Sequence, residues 1–261
     1  MTKVRTLAAL VVLSLSSVAL AAPRNPAQEA AIDEAVSAVD PALVPIVHEG
    51  NAAMDRGDAA AAARAYTTVH DKAPDVAAIA RRLCTAETRS GDPKAAVRHC
   101  REAVKKQPEL AENHAALALA LLAPEEASPE DLTEARREAN AAEAISPNTE
   151  LAQAPTCAVA LRLGDTTTLA ICSAKLRKLA PNSPQTHVYT SALRASEGDI
   201  EAAKRELDLA RAAGLEESAY KKMRDDFDRK APPPGAREKI EQAVVTAAPI
   251  VLVAWTAIVF V

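Results

Sequence analysis

Four cysteines and five histidines are the residues of this 261-residue chain with the most chemistry open to them. Cys84 and Cys100 form one close pair and Cys157 and Cys172 another, with separations of 16 and 15. Such pairs suit disulfides, thiolate metal ligands, or small buried residues at helix contacts. A metal shared by Cys84, His99 and Cys100 is disfavoured, because adjacent residues on one helix turn away from each other. Among His48, His70, His99, His114 and His187 there is no metalloprotease spacing; His48-Glu49 runs into Gly50-Asn51, with no second histidine four residues on. GxSxG, Walker-type and GxGxxG stretches do not occur. No residue is therefore assigned a catalytic role, and no metal or cofactor is expected. The chain reads as one that binds through a surface.

The elements that position these residues are short helices at a fixed period. Between Ala77 and Leu110 a first helix carrying Ala80, Leu83, Cys84 and Ala86 leads to Gly91-Asp92; a second runs from Pro93 to about Lys106 and stops at Pro108. Gly91 can take the left-handed conformation that ends one helix, Asp92 can cap the next, and Pro93 fits the first helical position, where no amide hydrogen is needed. The corner is a tight αα-hairpin. Gly57-Asp58 precedes Gly91-Asp92 by 34, and Gly164-Asp165 precedes Gly198-Asp199 by 34, while Pro74, Pro108, Pro147 and Pro181 are spaced by 34, 39 and 34. A middle unit thus carries five extra residues. Its corner lacks Gly-Asp; after Pro124, Ser128-Pro129-Glu130-Asp131 supplies the cap, a first-position proline and an acid three places on. Three of the extra residues are assigned to a longer second helix and two to the loop.

A 34-residue helix-turn-helix unit of this kind resembles the tetratricopeptide repeat, over about Ala42 to Glu217 and in five units. The family's small first-helix residue falls on Gly50, Cys84, Ala118, Cys157 and Ser191, and its second-helix alanine on Ala62, Ala96, Ala135 and Ala203. Tyr66 holds the larger place four residues further on. Leu169 replaces the alanine in the fourth unit, Cys100 and Ser173 stand where an aromatic is usual, and the first-helix tryptophan is missing. The resemblance implies an all-α solenoid whose first helices line a groove for a protein or peptide segment. In this frame the lining is Asn51, Met54 and Asp55, then Arg81, Thr85, Thr88 and Arg89, then Leu119 and Leu122, then Leu161 and Arg162. An acidic ligand is implied if Arg81, Arg89 and Arg162 share one face.

Placed on the repeat, each cysteine pair falls inside one hairpin. Cys84 with Cys100 and Cys157 with Cys172 is then the preferred one of the three possible connectivities. Four free thiols buried at helix contacts stand beside it as the other reading, and the residue types incline slightly towards them.

Only 2% of the residues are aromatic, so burial must come mostly from Ala, Leu and Val spread over neighbouring units. The chain opens with Lys3, Arg5, an apolar run from Leu7 to Leu20 and an Ala19-Leu20-Ala21 cleavage pattern, read as a secretory signal peptide over 1–21. Whether it is cleaved or kept as an anchor, the repeats are expected on the extracytoplasmic, for example periplasmic, side. Without Lys3 and Arg5 the formal charge goes from −4 to −6, and no basic stripe remains for nucleic acid. Arg81-Arg82 and Arg136-Arg137 alternate with carboxylates and read as solvated faces. Residues 22–41 hold a capping helix with Ile32, Val36 and Val39 at helical spacing, and 42–217 the repeats. A second capping helix over 218–230 carries Tyr220, Met223 and Phe227 on one stripe. A proline-rich linker over 231–242 leads to Ala243 to Val261, nineteen residues without a charge, read as a transmembrane helix. No Lys or Arg follows it, so a continuation beyond Val261 is expected. Two functions fit: a membrane-tethered scaffold that is not itself an enzyme, or the regulatory ectodomain of a longer membrane enzyme such as a protease.

Overall fold

The computed structural model describes residues 24–230; the expected signal peptide, the linker over 231–242 and the apolar segment over 243–261 lie outside the described residues. The described chain is all-helical. Helix α1 (Pro26–Ser37) and a single 3-10 turn (Pro41–Leu43) precede five hairpins: α2 (Val44–Asp55) with α3 (Ala59–Lys72), α4 (Ala77–Ser90) with α5 (Pro93–Lys106), α6 (Ala111–Leu122) with α7 (Pro129–Ile145), α8 (Glu150–Leu163) with α9 (Thr166–Leu179), and α10 (Pro184–Ser196) with α11 (Ile200–Ala212). Helix α12 (Glu217–Lys230) closes the array. Among the described residues no helix is long and apolar enough to cross a membrane.

Four corners share one hydrogen-bond pattern. Gly91 has φ of 89° and ends α4, after which the Asp92 amide donates to the Glu87 carbonyl at 2.9 Å. The Asp92 carboxylate accepts from the Ala95 amide at 3.1 Å and starts α5. Asp58, Asp165 and Asp199 repeat both bonds, to Ala53 and Ala61, Ala160 and Thr168, Arg194 and Ala202. The glycine frees the backbone for a left-handed turn, and the aspartate satisfies an amide that the helix leaves unpaired. The same Thr168 amide holds the Asp165 carboxyl below the usual carboxylate range.

The middle unit divides its extra residues differently from expectation. Helix α7 has 17 residues against 14 in α5, which is the expected gain of three. The loop between Leu122 and Pro129 is four residues longer than the Gly91-Asp92 corner, not two, and α6, at 12 residues, is two shorter than α4 at 14. Pro124 and the Ser128 capping box account for both changes: the proline stops α6 early, and the reciprocal Ser128 and Asp131 bonds fix where α7 begins.

Neighbouring helices pack in sequence, and α4, α6, α8 and α10 also touch each other, forming an inner row of first helices. Residues on nearly every side of α6, α8 and α10 are buried, among them Leu117, Leu121, Val159, Val188 and Tyr189. The main core runs without a break from Cys84 to Phe227. At its end α12 buries Ala219, Met223 and Phe227, so the last helix covers the apolar face of the fifth unit.

One pair of positions shows how small residues replace aromatics in this core. In the first unit Gly50 lies under the Tyr66 ring so closely that a Cβ there would stand 2.5 Å from it. The equivalent positions in the second unit are Cys84 and Cys100, joined in a disulfide, and in the fifth unit Ser191 donates to the Ala203 carbonyl at 2.7 Å. The joints between units recur too. Asn113 donates to the carbonyls of Ala103 and Gln107, and Thr186, in the equivalent place, donates to those of Leu176 and Ala180. His114 and Gln153 likewise reach the carbonyls of Pro108 and Pro147. These side chains bond to carbonyls at and just after the end of the preceding helix and so tie each first helix to the joint before it, while the Ala103 and Leu176 carbonyls also accept from the Gln107 and Ala180 amides.

Candidate functional site

The first-helix positions expected to line a groove fall into three environments. Asn51 and Asp55 on α2 are engaged by the N-terminal segment of the chain itself. Arg24 donates to Asp55 Oδ1 at 2.8 and 2.5 Å and to the Asn51 carbonyl at 2.9 Å. The Asn51 amide donates to Glu29 Oε2 at 3.0 Å, while its Oδ1 accepts from the Tyr66 hydroxyl at 2.7 Å and from Arg82 at 2.9 Å. Arg82 closes the cluster on Glu29 Oε1 at 2.5 Å. The Arg81-Arg82 pair is accordingly not a solvated face: Arg82 is held in this network, and burial pulls the Arg81 guanidinium pKa down, opposed by the Glu112 carboxylate. The Nε of Arg81 is buried with no hydrogen-bond partner among the described residues. Met54 packs on the small core around Tyr66 and Leu83.

The second environment is the half-buried middle of the row. Thr85 and Thr88 donate to the carbonyls of Arg81 and Cys84 on their own helix, and Arg89 and Leu119 are partly buried beside them in the sequence frame. The third is closed. Leu122 and Leu161 are 2% and 5% exposed and belong to the main core rather than to an open surface. Arg162 donates to the carbonyls of Pro124 and Glu125, holding the long loop of the middle unit, and burial lowers its pKa. Arg162 is thus committed to that loop. The arrangement can take an extended segment across α4 and α6, where Arg81, Thr85, Thr88, Arg89 and Leu119 remain partly accessible.

The cysteines are placed as two disulfides, Cys84 with Cys100 and Cys157 with Cys172, with Cα separations of 5.3 and 5.6 Å. Each ties the small position of a first helix to the second helix of the same hairpin. Cys100 occupies the place that Tyr66 has in the first unit, whereas Cys172 sits one residue earlier in its own, which is the source of the unequal spacing.

Sequence reading missed the histidines as partners. Every one of the five faces a carboxylate: His48 with Asp33, His70 with Glu102, His99 with Glu87, His114 with Glu138 and His187 with Glu206, at 2.6 to 2.9 Å. Glu138 and Glu206 both lie three residues after the repeat alanine, so the repeat frame itself was the signal available. On the outer side, a depression of about 540 Å³ lined by Arg101, Pro129, Glu130, Thr133, Glu134 and Arg137 is open and charged, unlike the apolar concavities that hold small molecules.

No protein-family model matches the chain, and no curated protein matches it by sequence. Solved structures do match. A thermophilic TPR protein of Thermus thermophilus superimposes with a TM-score of 0.62 at 16% identity, covering 71% of this chain and 98% of its own. PilF of Pseudomonas aeruginosa superimposes with a TM-score of 0.53 at 16% identity, covering 82% of this chain and 99% of its own. At such identities the likeness speaks for the fold, and with the repeated corners and the inner row of helices it shows this chain to be a TPR-like α-solenoid.

Proposed function

We propose that the chain is a membrane-tethered extracytoplasmic scaffold that docks a protein or peptide segment along the inner row of first helices. The observation that carries this reading is the stretch of α4 and α6 where Arg81, Thr85, Thr88, Arg89 and Leu119 stay partly exposed within a row that is mostly buried over α4, α6, α8 and α10. Two further features support parts of it. The buried Arg81 Nε, which has no hydrogen-bond partner among the described residues, favours an acidic group on the ligand, since a guanidinium recognises carboxylates through its N–H donors. The two disulfides fit an oxidising compartment. The tether rests on the uncharged run from Ala243 to Val261 and the location on the leader-like N-terminus.

Capture of the partner after in-cell cross-linking tests the groove. Arg81→Glu with Arg89→Glu is expected to lower capture by about tenfold or more, because reversal places like charges against an acidic segment. Arg136→Glu, on the exposed face of α7, should leave it unchanged. Equal capture by all three proteins would refute the groove. For the tether, a chain ending at Pro234 is expected in the soluble extracytoplasmic fraction while the full chain stays with the membrane; retention of the shortened chain in the membrane would refute it.

A further inference from the structure

Three of the carboxylate-paired side chains converge where the second helices of the first two units meet. His70 comes from α3, and His99 and Glu102 from α5, where a spacing of three puts both on one face. One ligand atom from each lies within 4.8 Å of the other two. His70 Nε2 is 2.9 Å from Glu102 Oε1, and the two imidazole rings meet edge to face with centroids 5.2 Å apart. We propose that His70, His99 and Glu102 form a binding site for a borderline divalent transition metal of the zinc class.

The surroundings match what such a site needs. His99 Nδ1 is held by Glu87 Oε2 at 2.7 Å in a buried contact. That bond fixes the ring and leaves Nε2 for a metal, the carboxylate–histidine arrangement common behind metal-bound imidazoles. Two nitrogens and one carboxylate oxygen suit zinc, nickel or copper(II) better than calcium or magnesium. Bonds of about 2.0 to 2.2 Å to a tetrahedral ion would bring the ligand atoms to roughly 3.4 Å apart. Closing from within 4.8 Å needs only small rotations of His70 and Glu102, whose side chains are partly exposed and therefore free to adjust and open to an incoming ion. A cation already balances the carboxylate: the Lys106 ammonium is 2.6 Å from Glu102 Oε1 and also donates to the Pro74 carbonyl. Metal binding therefore replaces the single charge of the ammonium at Glu102 with a divalent ion and links α3 to α5 across the joint between units.

The test uses the full chain, without an affinity tag and with its cysteines oxidised, titrated with Zn²⁺ alone by calorimetry and with Co²⁺ by visible absorption. The expected result is one ion per chain, with the absorption of a low-symmetry nitrogen and oxygen site. Affinity should fall by about tenfold or more in His70→Gln and in Glu102→Gln. It should rise in Lys106→Gln, where the competing cation is gone, and stay the same in His187→Gln, whose imidazole is paired elsewhere. Helical content by circular dichroism identifies any variant that fails to fold, and the other ligand variant then decides. No stoichiometric Zn²⁺ binding by the wild-type chain, or an affinity unchanged from wild type in both ligand variants, would overturn the proposal.

Discussion

Reducing both disulfides is expected to lower the stability of the chain by about 6 kcal/mol, near 3 for each bridge in the chain-entropy model for loops of 16 and 15 residues. Total stabilities of single domains are about 5 to 15 kcal/mol, so the change is a large part of the whole. In a chain of this size each kcal/mol moves the melting midpoint by about 2 to 4 °C. The effect should also be local, because a solenoid unit contacts only its neighbours. Cys84→Ala with Cys100→Ala should loosen the second hairpin, and Cys157→Ala with Cys172→Ala the fourth, each visible as faster amide exchange in its own helices. Thermal unfolding with and without reductant measures the sum. Four thiols alkylated in the unfolded, unreduced protein, or identical melting after the thiols have been freed, would remove the bridges from the account.

Alkaline pH is expected to destabilise the chain through Tyr66. Burial pushes its hydroxyl from 10.0 up to about 12, only partly offset by the Arg82 and Arg24 charges. Below pH 10 both the folded and the unfolded chain keep this proton, and the contribution of Tyr66 is fully present. Between pH 10 and 12 the unfolded chain releases it first, so that stability is lost as pH rises through this window, by about 3 kcal/mol in all for two units. Burial raises Tyr189 in the same direction and extends the loss to higher pH. Denaturant midpoints at pH 9 and pH 11.5 should differ accordingly, and Tyr66→Phe should remove a large part of the difference even though it also forfeits the bond to Asn51. An unchanged difference in Tyr66→Phe would show that other groups, such as lysines leaving their ion pairs, are responsible.

What the sequence made legible was whatever repeats or acts over a few residues. The Gly-Asp corners, the Ser128 cap, the ends of α5 and the hairpin placement of the cysteines all follow from local chemistry at a fixed period. The environment of Arg81-Arg82 did not follow, because the Glu29 that pairs with Arg82 lies 53 residues away on a helix outside the repeat. Arg162 is similar: its partners are carbonyls 37 and 38 residues distant, in a loop whose length the spacing set only as part of a total of five extra residues. Leu122 and Leu161 were assigned to a groove by family register, but α6 and α8 are buried on almost every side, and position on a helix does not reveal how closely its neighbours stack. The meeting of His70 with His99 and Glu102 needs two successive units in their packed orientation, which no window of one unit contains.

The placement of the two bridges also has a mechanical side. Each joins the two arms of one hairpin, so a chain pulled from its ends can lengthen between hairpins but not through the segments 84–100 and 157–172. A fully extended residue spans about 3.3 to 3.6 Å, so each bridge withholds roughly 50 Å of contour length. The middle unit, which has no such crosslink and carries the long loop held by Arg162, is left as the compliant section between two inextensible ones. The greatest reach of the molecule is therefore set by its thiol chemistry, about 100 Å shorter oxidised than reduced.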